Sequence, residues 1–255
     1  MKKVVSILGL LLPMTLLAQE GEFFISGKVG AFNAPAKVYL LSQRGQAIDS
    51  AVMKNGAFEL KGKVDNSRQS ILLLDRQGIG ARSALRSPGA DYCEFYLEQG
   101  KISVAGKDSM VSAVVTGSAL NADFQAYRKS AASALAAEKA VYAEYQQASK
   151  EKKESPEFRE EIDRKYDAAS NDVNKAQAVF IQAHPNSKVS LDLLKSMSGI
   201  EMDLSVVEPL FNGLSEAVRN SADGQAFASE MEKGKKLGIG AVAPDFPNLI
   251  PPDRR

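Results

Sequence analysis

The chain has 255 residues, 44% of them hydrophobic, and its 32 basic and 31 acidic residues give a formal net charge of +1 at neutral pH. This balance excludes the strongly basic character of nucleic-acid-binding proteins and gives no electrostatic reason to bind an anionic membrane surface. The single cysteine excludes an internal disulfide, and the single histidine excludes a multi-histidine metal site.

The first residues have the pattern of a secretory signal peptide. Met1-Lys2-Lys3 is positively charged, Val4 to Leu17 is apolar, and Ala18 is small enough for cleavage before Gln19. The apolar run is shorter than the roughly 20 residues of a membrane span, and Pro13 interrupts it. No cysteine follows that would mark a lipoprotein. We therefore predict a signal peptide at residues 1–18 and a mature chain in the periplasm, with no stable membrane insertion.

Residues 19–117 alternate between apolar and polar side chains in short runs, which predicts an antiparallel β-sandwich. The predicted strands are Glu22–Val29, Ala36–Ser42, Ala47–Met53, Ala57–Val64, Gln69–Asp75, Tyr92–Leu97, Lys101–Ala105 and Val111–Thr116. Asn55-Gly56 accepts the positive φ angles of a type I′ turn, so it predicts a hairpin, and Glu98-Gln99-Gly100 predicts a second one.

Two of these strands share the pattern F-x-[IL]-x-G-K-V, at Phe23–Val29 and at Phe58–Val64. The repetition predicts two similar strands. Gly27 and Gly62 fall inside them, where glycine indicates a bulge or a close approach of other atoms to the backbone.

The segment 77–90 is a long connection with three glycines and one proline. Arg76 precedes it, and Arg82 and Arg86 lie within it. Long loops are often functional, and the arginines would suit an acidic partner. A solvated, mobile loop with ordinary surface charge is the interpretation that we favour.

Cys93 lies in an alternating, aromatic-rich run from Asp91 to Leu97. The favoured interpretation is a small apolar residue on a strand face, because a reactive thiolate needs an electropositive and partly open environment. A thiol that pairs with a partner is the alternative.

Residues 118–237 change to a helical period, with two long apolar stripes that predict a long antiparallel helical hairpin. The first stripe contains Phe124, Tyr127, Ala131, Leu135, Tyr142 and Tyr145, and the second contains Phe158, Ile162, Tyr166, Ala169, Val173, Ala176 and Phe180. Ser155 is the predicted N-cap of the second helix, with Pro156 at its first position. Each helix would be about 40 Å long. The carboxylates at Glu157, Glu160, Glu161 and Asp163 are interpreted as a solvated face.

His184-Pro185 predicts the end of the second long helix, and Ser187 can cap the next one. Shorter helices are predicted at 188–198, 203–212 and 223–236, with Asp203 as a cap and Gly213 as a stop. His184 is interpreted as a capping or packing residue. Phosphate-binding, dinucleotide-binding, zinc-protease and serine-hydrolase motifs are absent from the sequence, so we predict no catalytic, cofactor-binding or metal-binding residues and no cofactor.

The end of the chain carries a more specific pattern, Gly240-Ala241-Val242-Ala243-Pro244-Asp245-Phe246. It resembles the entry segment of the thioredoxin domain in TlpA-like and peroxiredoxin-like thiol–disulfide oxidoreductases. With the strand repeat, Thr116–Asn121 and Ala183–Ser187, the chain resembles the N-terminal accessory region of such periplasmic enzymes from Bacteroidota, which includes a domain of unknown function. In these enzymes the redox Cys-x-x-Cys lies further along, so no catalytic residue carries over and the thioredoxin fold is expected to be absent. Residues 238–255 are predicted to be a disordered stub.

Three functions compete. The leading prediction is a non-catalytic periplasmic binding or scaffolding module that holds an unknown envelope protein and is not an enzyme; its oligomeric state stays open. The alternative is a truncated piece of a thioredoxin-like oxidoreductase, active in redox homeostasis, with its catalytic domain missing or encoded downstream. A carbohydrate-binding module ranks third, because the chain has no tryptophan to stack on sugar rings.

Overall fold

The computed structural model describes residues 21–199 and 202–237. The chain divides into two compact units, with the boundary between Ser118 and Ala119. The predicted signal peptide at 1–18 and the predicted disordered tail at 238–255 fall outside the described residues. No helix of the described segments is both long and apolar enough to cross a membrane.

The first unit is a sandwich of two four-stranded sheets. Its elements are β1 (Gly21–Val29), β2 (Lys37–Ser42), β3 (Ala47–Val52), β4 (Ala57–Val64), β5 (Arg68–Asp75), α1 (Ala81–Arg86), β6 (Asp91–Leu97), β7 (Gly100–Gly106) and β8 (Val114–Thr116). Sheet A has the strand order β4-β1-β7-β8, and sheet B has the order β3-β2-β5-β6. The predicted α+β fold class and the eight predicted strands are confirmed, and the described residues form no thioredoxin fold.

The core lies between the two sheets, because the apolar residues of each alternating strand point inward. It contains Phe23, Ile25, Val29, Ala36, Val38, Leu40, Met53, Phe58, Leu60, Val64, Leu72, Leu74, Cys93, Phe95, Leu97, Ile102, Val104, Met110 and Val115. No disulfide contributes in this chain, so packing of these side chains stabilises the sandwich.

The two strands with the repeated pattern, β1 and β4, pair directly and run antiparallel. In their register Phe23 lies opposite Gly62 and Phe58 lies opposite Gly27. A Cβ atom at Gly62 would lie 2.9 Å from the ring of Phe23, and one at Gly27 would overlap the ring of Phe58. Each phenylalanine ring therefore occupies the space that a side chain opposite would need. The close approach predicted for the two glycines is confirmed.

Both predicted hairpins are wrong in their pairing. Asn55 and Gly56 have φ angles of 48° and 75°, as a type I′ turn requires, but a single bridge from Lys54 to Ala57 follows before β3 and β4 enter different sheets. The turn at 98–100 likewise connects β6 in sheet B to β7 in sheet A. A turn motif specifies only the local backbone geometry and does not determine which strands pair. Here β4 pairs with β1 and not with β3. One further pair, β1 with β7, is parallel.

The second unit is helical. Its described helices are α2 (Ala119–Ser130), α3 (Ala132–Gln147), α4 (Lys150–Glu154), α5 (Pro156–Ala183), α6 (Lys188–Ser198), α7 (Leu204–Gly213), α8 (Glu216–Arg219) and α9 (Ala222–Leu237). The predicted first long helix is broken at Ala131 into α2 and α3. The second, α5, has 28 residues and is therefore about 42 Å long. The α3 and α5 helices form an antiparallel hairpin closed by α4.

The predicted helix boundaries agree with the observed caps. Ser155 Oγ accepts a hydrogen bond from the Phe158 N–H at 3.3 Å, and Pro156 is the first residue of α5. Ser187 and Asp203 cap α6 and α7 in the same way. The short α8 was not predicted, because four residues are too few to show a helical period.

Candidate functional site

The segment 77–90 is built around one buried carboxylate. The side chain of Asp75 at the end of β5 is on a residue only 2% exposed. Four loop N–H groups donate to it, from Gln77 at 3.2 Å, Gly78 at 2.8 Å, Ile79 at 3.2 Å and Gly80 at 2.8 Å. Four hydrogen bonds converge on this one side chain, so Asp75 fixes the start of the loop.

The rest of this segment forms α1, which packs on the outer face of sheet B. Ala84 is buried there against Leu41, Ile71 and Leu73. This contact explains why β5 is apolar on both faces. The segment is mostly exposed, as the favoured prediction stated, but the prediction of a loop is wrong for Ala81–Arg86, which form a helix that covers part of the sheet.

A second carboxylate, Asp91, fixes the neighbouring turn. It accepts hydrogen bonds from Arg76 Nη2 at 2.6 Å, Ser109 Oγ at 2.7 Å, Met110 N at 2.7 Å and Val111 N at 3.0 Å. Burial alone would raise the pKa of Asp91, but these hydrogen bonds outweigh it, and the pKa lies below its usual value of 3.8. Asp91 therefore stays ionised and holds the turn in place.

A cavity of about 340 Å³ lies beside these two aspartates. Arg76 borders it and also donates to Asp108 O at 3.0 Å, with its guanidinium 5.0 Å from the ring centroid of Phe32. Both carboxylates are thus saturated with donors, and this arginine is occupied by structural contacts. Arg82 and Arg86 are exposed on α1 and make no ion pair within the described chain. The charged side chains that line the cavity are therefore engaged in structural contacts.

Cys93 lies in the sandwich core, where the residue is 6% exposed, opposite Leu72 in the register of β5 and β6. The structure places it as the alternating pattern predicts, on the apolar inner face. A thiol must reach solvent or a partner to exchange disulfides, and this burial opposes such access.

His184 ends α5. Its ring stacks on Phe180 with a centroid distance of 4.0 Å, and its Nδ1 lies 3.1 Å from the Phe180 carbonyl oxygen. The packing and capping interpretation agrees with these contacts. Within residues 21–199 and 202–237 no three histidine, cysteine or carboxylate side chains come together as a metal site would require.

An apolar groove of about 380 Å³ lies between α3 and α5 in the helical unit. We call it the tyrosine groove. It is lined by Val141, Tyr142, Tyr145, Arg159, Ile162, Asp163 and Tyr166. The three tyrosines are 61%, 39% and 48% exposed, respectively. All three belong to the predicted apolar stripes and lie where α3 and α5 face each other, but each keeps more than a third of its surface exposed.

The reason is that α3 has only α5 beside it along most of its length, and none of its residues is buried. The α3–α5 contact is reinforced at its edge by Lys165, which donates to Glu144 at 2.9 Å and to Glu161 at 2.7 Å. Hydrogen bonds to Glu161 and Glu144 raise the pKa of Lys165, and the bond between Lys165 and Glu161 lowers the pKa of Glu161. The hairpin is therefore held in register while one apolar face stays uncovered.

Two opposite charges lie within the tyrosine groove. Arg159 Nε donates to the Lys153 carbonyl oxygen at 2.9 Å, while its two terminal nitrogens have no partner in the described chain. Asp163, one turn further along α5, likewise has no ion pair there. Tyrosine and arginine are enriched at the centres of protein interfaces, so this set of side chains suits protein recognition.

One feature of the sequence could have indicated this groove, namely the type of residue in the stripes, whereas the helical spacing alone did not. Four of the large side chains assigned to the stripes are tyrosines, whose hydroxyl groups prefer contact with water. Tyr127 is buried, and the other three line the groove. Two of them, Tyr142 and Tyr145, are on a helix rich in alanine, which has few large residues to build a core. Amphipathic residues on a poorly packed helix indicate a surface rather than an interior.

Comparison with known proteins identifies one family. Comparison with curated proteins finds no match to this chain. A family described as Domain of unknown function (DUF4369) matches residues 23–124, which contain most of β1, all of β2 to β8, α1 and the start of α2. Residues 23–124 are therefore similar to this family of unknown function.

Proposed function

We propose that this protein is a non-catalytic binding or scaffolding module of the periplasm that holds a protein partner through the tyrosine groove. The observation that carries the proposal is the exposure of three tyrosines in one concave surface between α3 and α5. Tyrosine loses few rotamers on binding and contributes both apolar area and a polar hydroxyl, which makes it effective in interfaces.

The energetics favour a protein partner over a small ligand. The groove is open, and a partner that covered it would remove the apolar rings of Tyr142 and Tyr166 from water. Truncation of a buried tyrosine anchor in an interface costs about 2 kcal/mol or more, which is roughly thirtyfold in affinity. A small molecule would leave much of such an open surface wet.

The test is capture of partners from an envelope extract by the purified chain. We expect proteins that bind the wild type and are depleted at least tenfold with a Tyr142→Ser, Tyr166→Ser variant. Val179→Ser is the matched control, because Val179 is also exposed on α5 but does not line the groove. Equal capture by all three chains, or capture no greater than that of bare resin, would refute the groove as a binding site.

The proposed absence of catalysis has its own assay. A dithiol redox cycle needs two thiols, and this chain has one. We expect no insulin reduction with dithiothreitol above that of a Cys93→Ser variant. A rate that depends on Cys93 would contradict the proposal.

The alternative function is that this chain is the accessory region of a TlpA-like thiol–disulfide oxidoreductase of Bacteroidota, supplied with a catalytic domain from a longer gene product. It is supported by the A-P-D-F pattern at 243–246 and by the order of motifs before it. Reading the DNA after the codon for Arg255 tests it. A W-C-x-x-C sequence within about a hundred codons, in either frame, would favour this alternative, and its absence would remove it.

The periplasmic location is part of the proposal and rests on the pattern of residues 1–18. Expression of the full chain followed by osmotic-shock fractionation tests it. We expect the protein in the shock fluid with Gln19 as its first residue. Recovery of an uncleaved chain from the cytoplasm would contradict it.

A further inference from the structure

We propose that the tyrosine groove binds a second copy of this chain, so that two α3–α5 hairpins pack across a twofold axis into a four-helix arrangement. This inference rests on the proposed function, since it names the partner of the same surface. It also gives the uncovered face of the hairpin an occupant that is present wherever the protein is.

The charges in the groove carry the argument. Arg159 and Asp163 are four residues apart on α5, and both line the groove. In a twofold dimer whose axis crosses α5 between these two residues, Arg159 of one chain faces Asp163 of its neighbour, and the reverse. Because symmetry repeats the contact, the pair Arg159 and Asp163 gives two intermolecular ion pairs in each dimer.

The groups needed for these pairs are not used within the chain. The terminal nitrogens of Arg159 and the carboxylate of Asp163 have no partners among the described residues. The Nε bond to Lys153 fixes the direction of the guanidinium, which lowers the entropy lost when it pairs. A uniformly acidic or basic partner would meet a like charge in the groove, whereas a second copy presents both signs in the complementary order.

The size of the surface sets the expected strength. The 16 residues of α3 extend about 24 Å, and two adjacent helices are about 20 Å across, which gives a face of about 480 Å² on each copy. This is below the roughly 800 Å² per partner of a typical stable interface. We therefore expect a reversible dimer with a dissociation constant in the micromolar range rather than a permanent one. The net charge of +1 produces little repulsion between copies.

Sedimentation equilibrium of the full chain, over about 5 to about 500 μM, measures the association directly. We expect a monomer–dimer equilibrium for the wild type. Arg159→Glu or Asp163→Lys alone replaces both ion pairs with like charges and should weaken the dimer about tenfold or more. The double variant Arg159→Glu, Asp163→Lys restores opposite charges and should return the dissociation constant to within about threefold of wild type. Arg164→Glu, a reversal on α5 outside the groove, should leave it unchanged.

The outcomes separate this inference from the proposed function. A chain that stays monomeric at every concentration, or a dimer that the double variant does not restore, overturns the inference. If a monomeric chain still captures an envelope protein that the tyrosine variant loses, the groove binds a different partner and the proposed function stands. If a monomeric chain also captures nothing, both are wrong. Circular dichroism of each variant shows whether the helices remain folded.

Discussion

The two units of this protein bury their apolar residues in different ways. In the sandwich unit, two sheets face each other, and α1 covers part of the outer face of sheet B. In the helical unit, α5 and α6 bury many residues while α3 buries none. The sandwich unit is therefore closed on itself, whereas the hairpin leaves one face that no other described element covers.

This difference predicts where substitutions act. In the sandwich unit, polar groups such as Asp75 and Asp91 are tied to backbone N–H groups, so their loss should lower stability. In the hairpin, the tyrosines and the charges of the groove are exposed, so their loss should affect association. A substitution that changed both folding stability and association would contradict this division between the two units.

The largest effect is expected from Asp75→Ala. The substitution leaves four loop N–H groups without their acceptor, and we expect the free energy of unfolding of the sandwich unit to fall by about 3 kcal/mol. For a unit of this size that is roughly 10 °C or more in its thermal midpoint, followed by the loss of β-sheet circular dichroism. Asp65→Ala removes an exposed carboxylate nearby in sequence and should change the midpoint by little. Equal midpoints for the two variants would show that the loop does not depend on Asp75.

The next effect tests the fit of glycine against phenylalanine between β1 and β4. Gly27→Ala introduces a methyl group where the Phe58 ring lies, and we expect a loss of about 2 kcal/mol. In the double variant Gly27→Ala, Phe58→Leu the smaller side chain makes room for the methyl group. The free energy of unfolding should therefore fall by less than the sum of the losses in the two single variants. Simple additivity in urea unfolding would show that the ring does not need this space.

These residues also show what the sequence predicts and what it does not. The alternation of apolar residues specified every strand of the sandwich, and the repeated F-x-[IL]-x-G-K-V pattern marked the two strands that pair. Turn residues such as Asn55-Gly56 specified backbone angles but not the sheet that the next strand joins, because that choice depends on residues far away in sequence.

The groove was missed for a related reason. Helical periodicity shows which residues share a face of a helix, but not whether a second element covers that face. Tyr142, Tyr145 and Tyr166 follow the same spacing as buried Phe158, yet each keeps more than a third of its surface exposed. The aspartate contacts at 75 and 91 were also unpredictable, since they join a strand end to loops whose folded path the sequence does not state.

A smaller effect concerns acid stability. Because the pKa of Asp91 is lowered in the folded state, its contribution is present above the unfolded value near 3.8 and is lost as the pH falls through the folded value. We expect the wild type to lose stability between pH 5 and pH 2, and Asp91→Asn, already less stable at pH 7, to lose less over the same range. Urea midpoints at each pH measure this. Identical slopes for the two chains would contradict a lowered pKa.

A loss of stability that is confined to the first turn of the helix is expected when the N-cap of α5 is removed. Ser155→Ala removes the acceptor for the Phe158 N–H and should cost about 1 kcal/mol. Ser133→Ala, at an exposed position within α3, should not reduce helical stability. Amide hydrogen exchange in the first turn of α5 is the measurement, and unchanged protection with Ser155→Ala would refute the cap.

The smallest effect on stability should come from the tyrosine groove, and this makes it the sharpest test of the comparison. Tyr142→Ser, Tyr166→Ser removes two large side chains, which in a core would cost several kcal/mol each. Because both are about half exposed or more, we expect the free energy of unfolding to change by less than about 1 kcal/mol, while partner capture falls. A matched pair in the core, Phe158→Ser and Phe180→Ser, should unfold the helical unit. If the tyrosine variant were instead strongly destabilised at low protein concentration, where a weak dimer is dissociated, the rings would have to pack within a single chain. The hairpin would then be as closed as the sandwich, and the surface proposed for binding would be part of its own core.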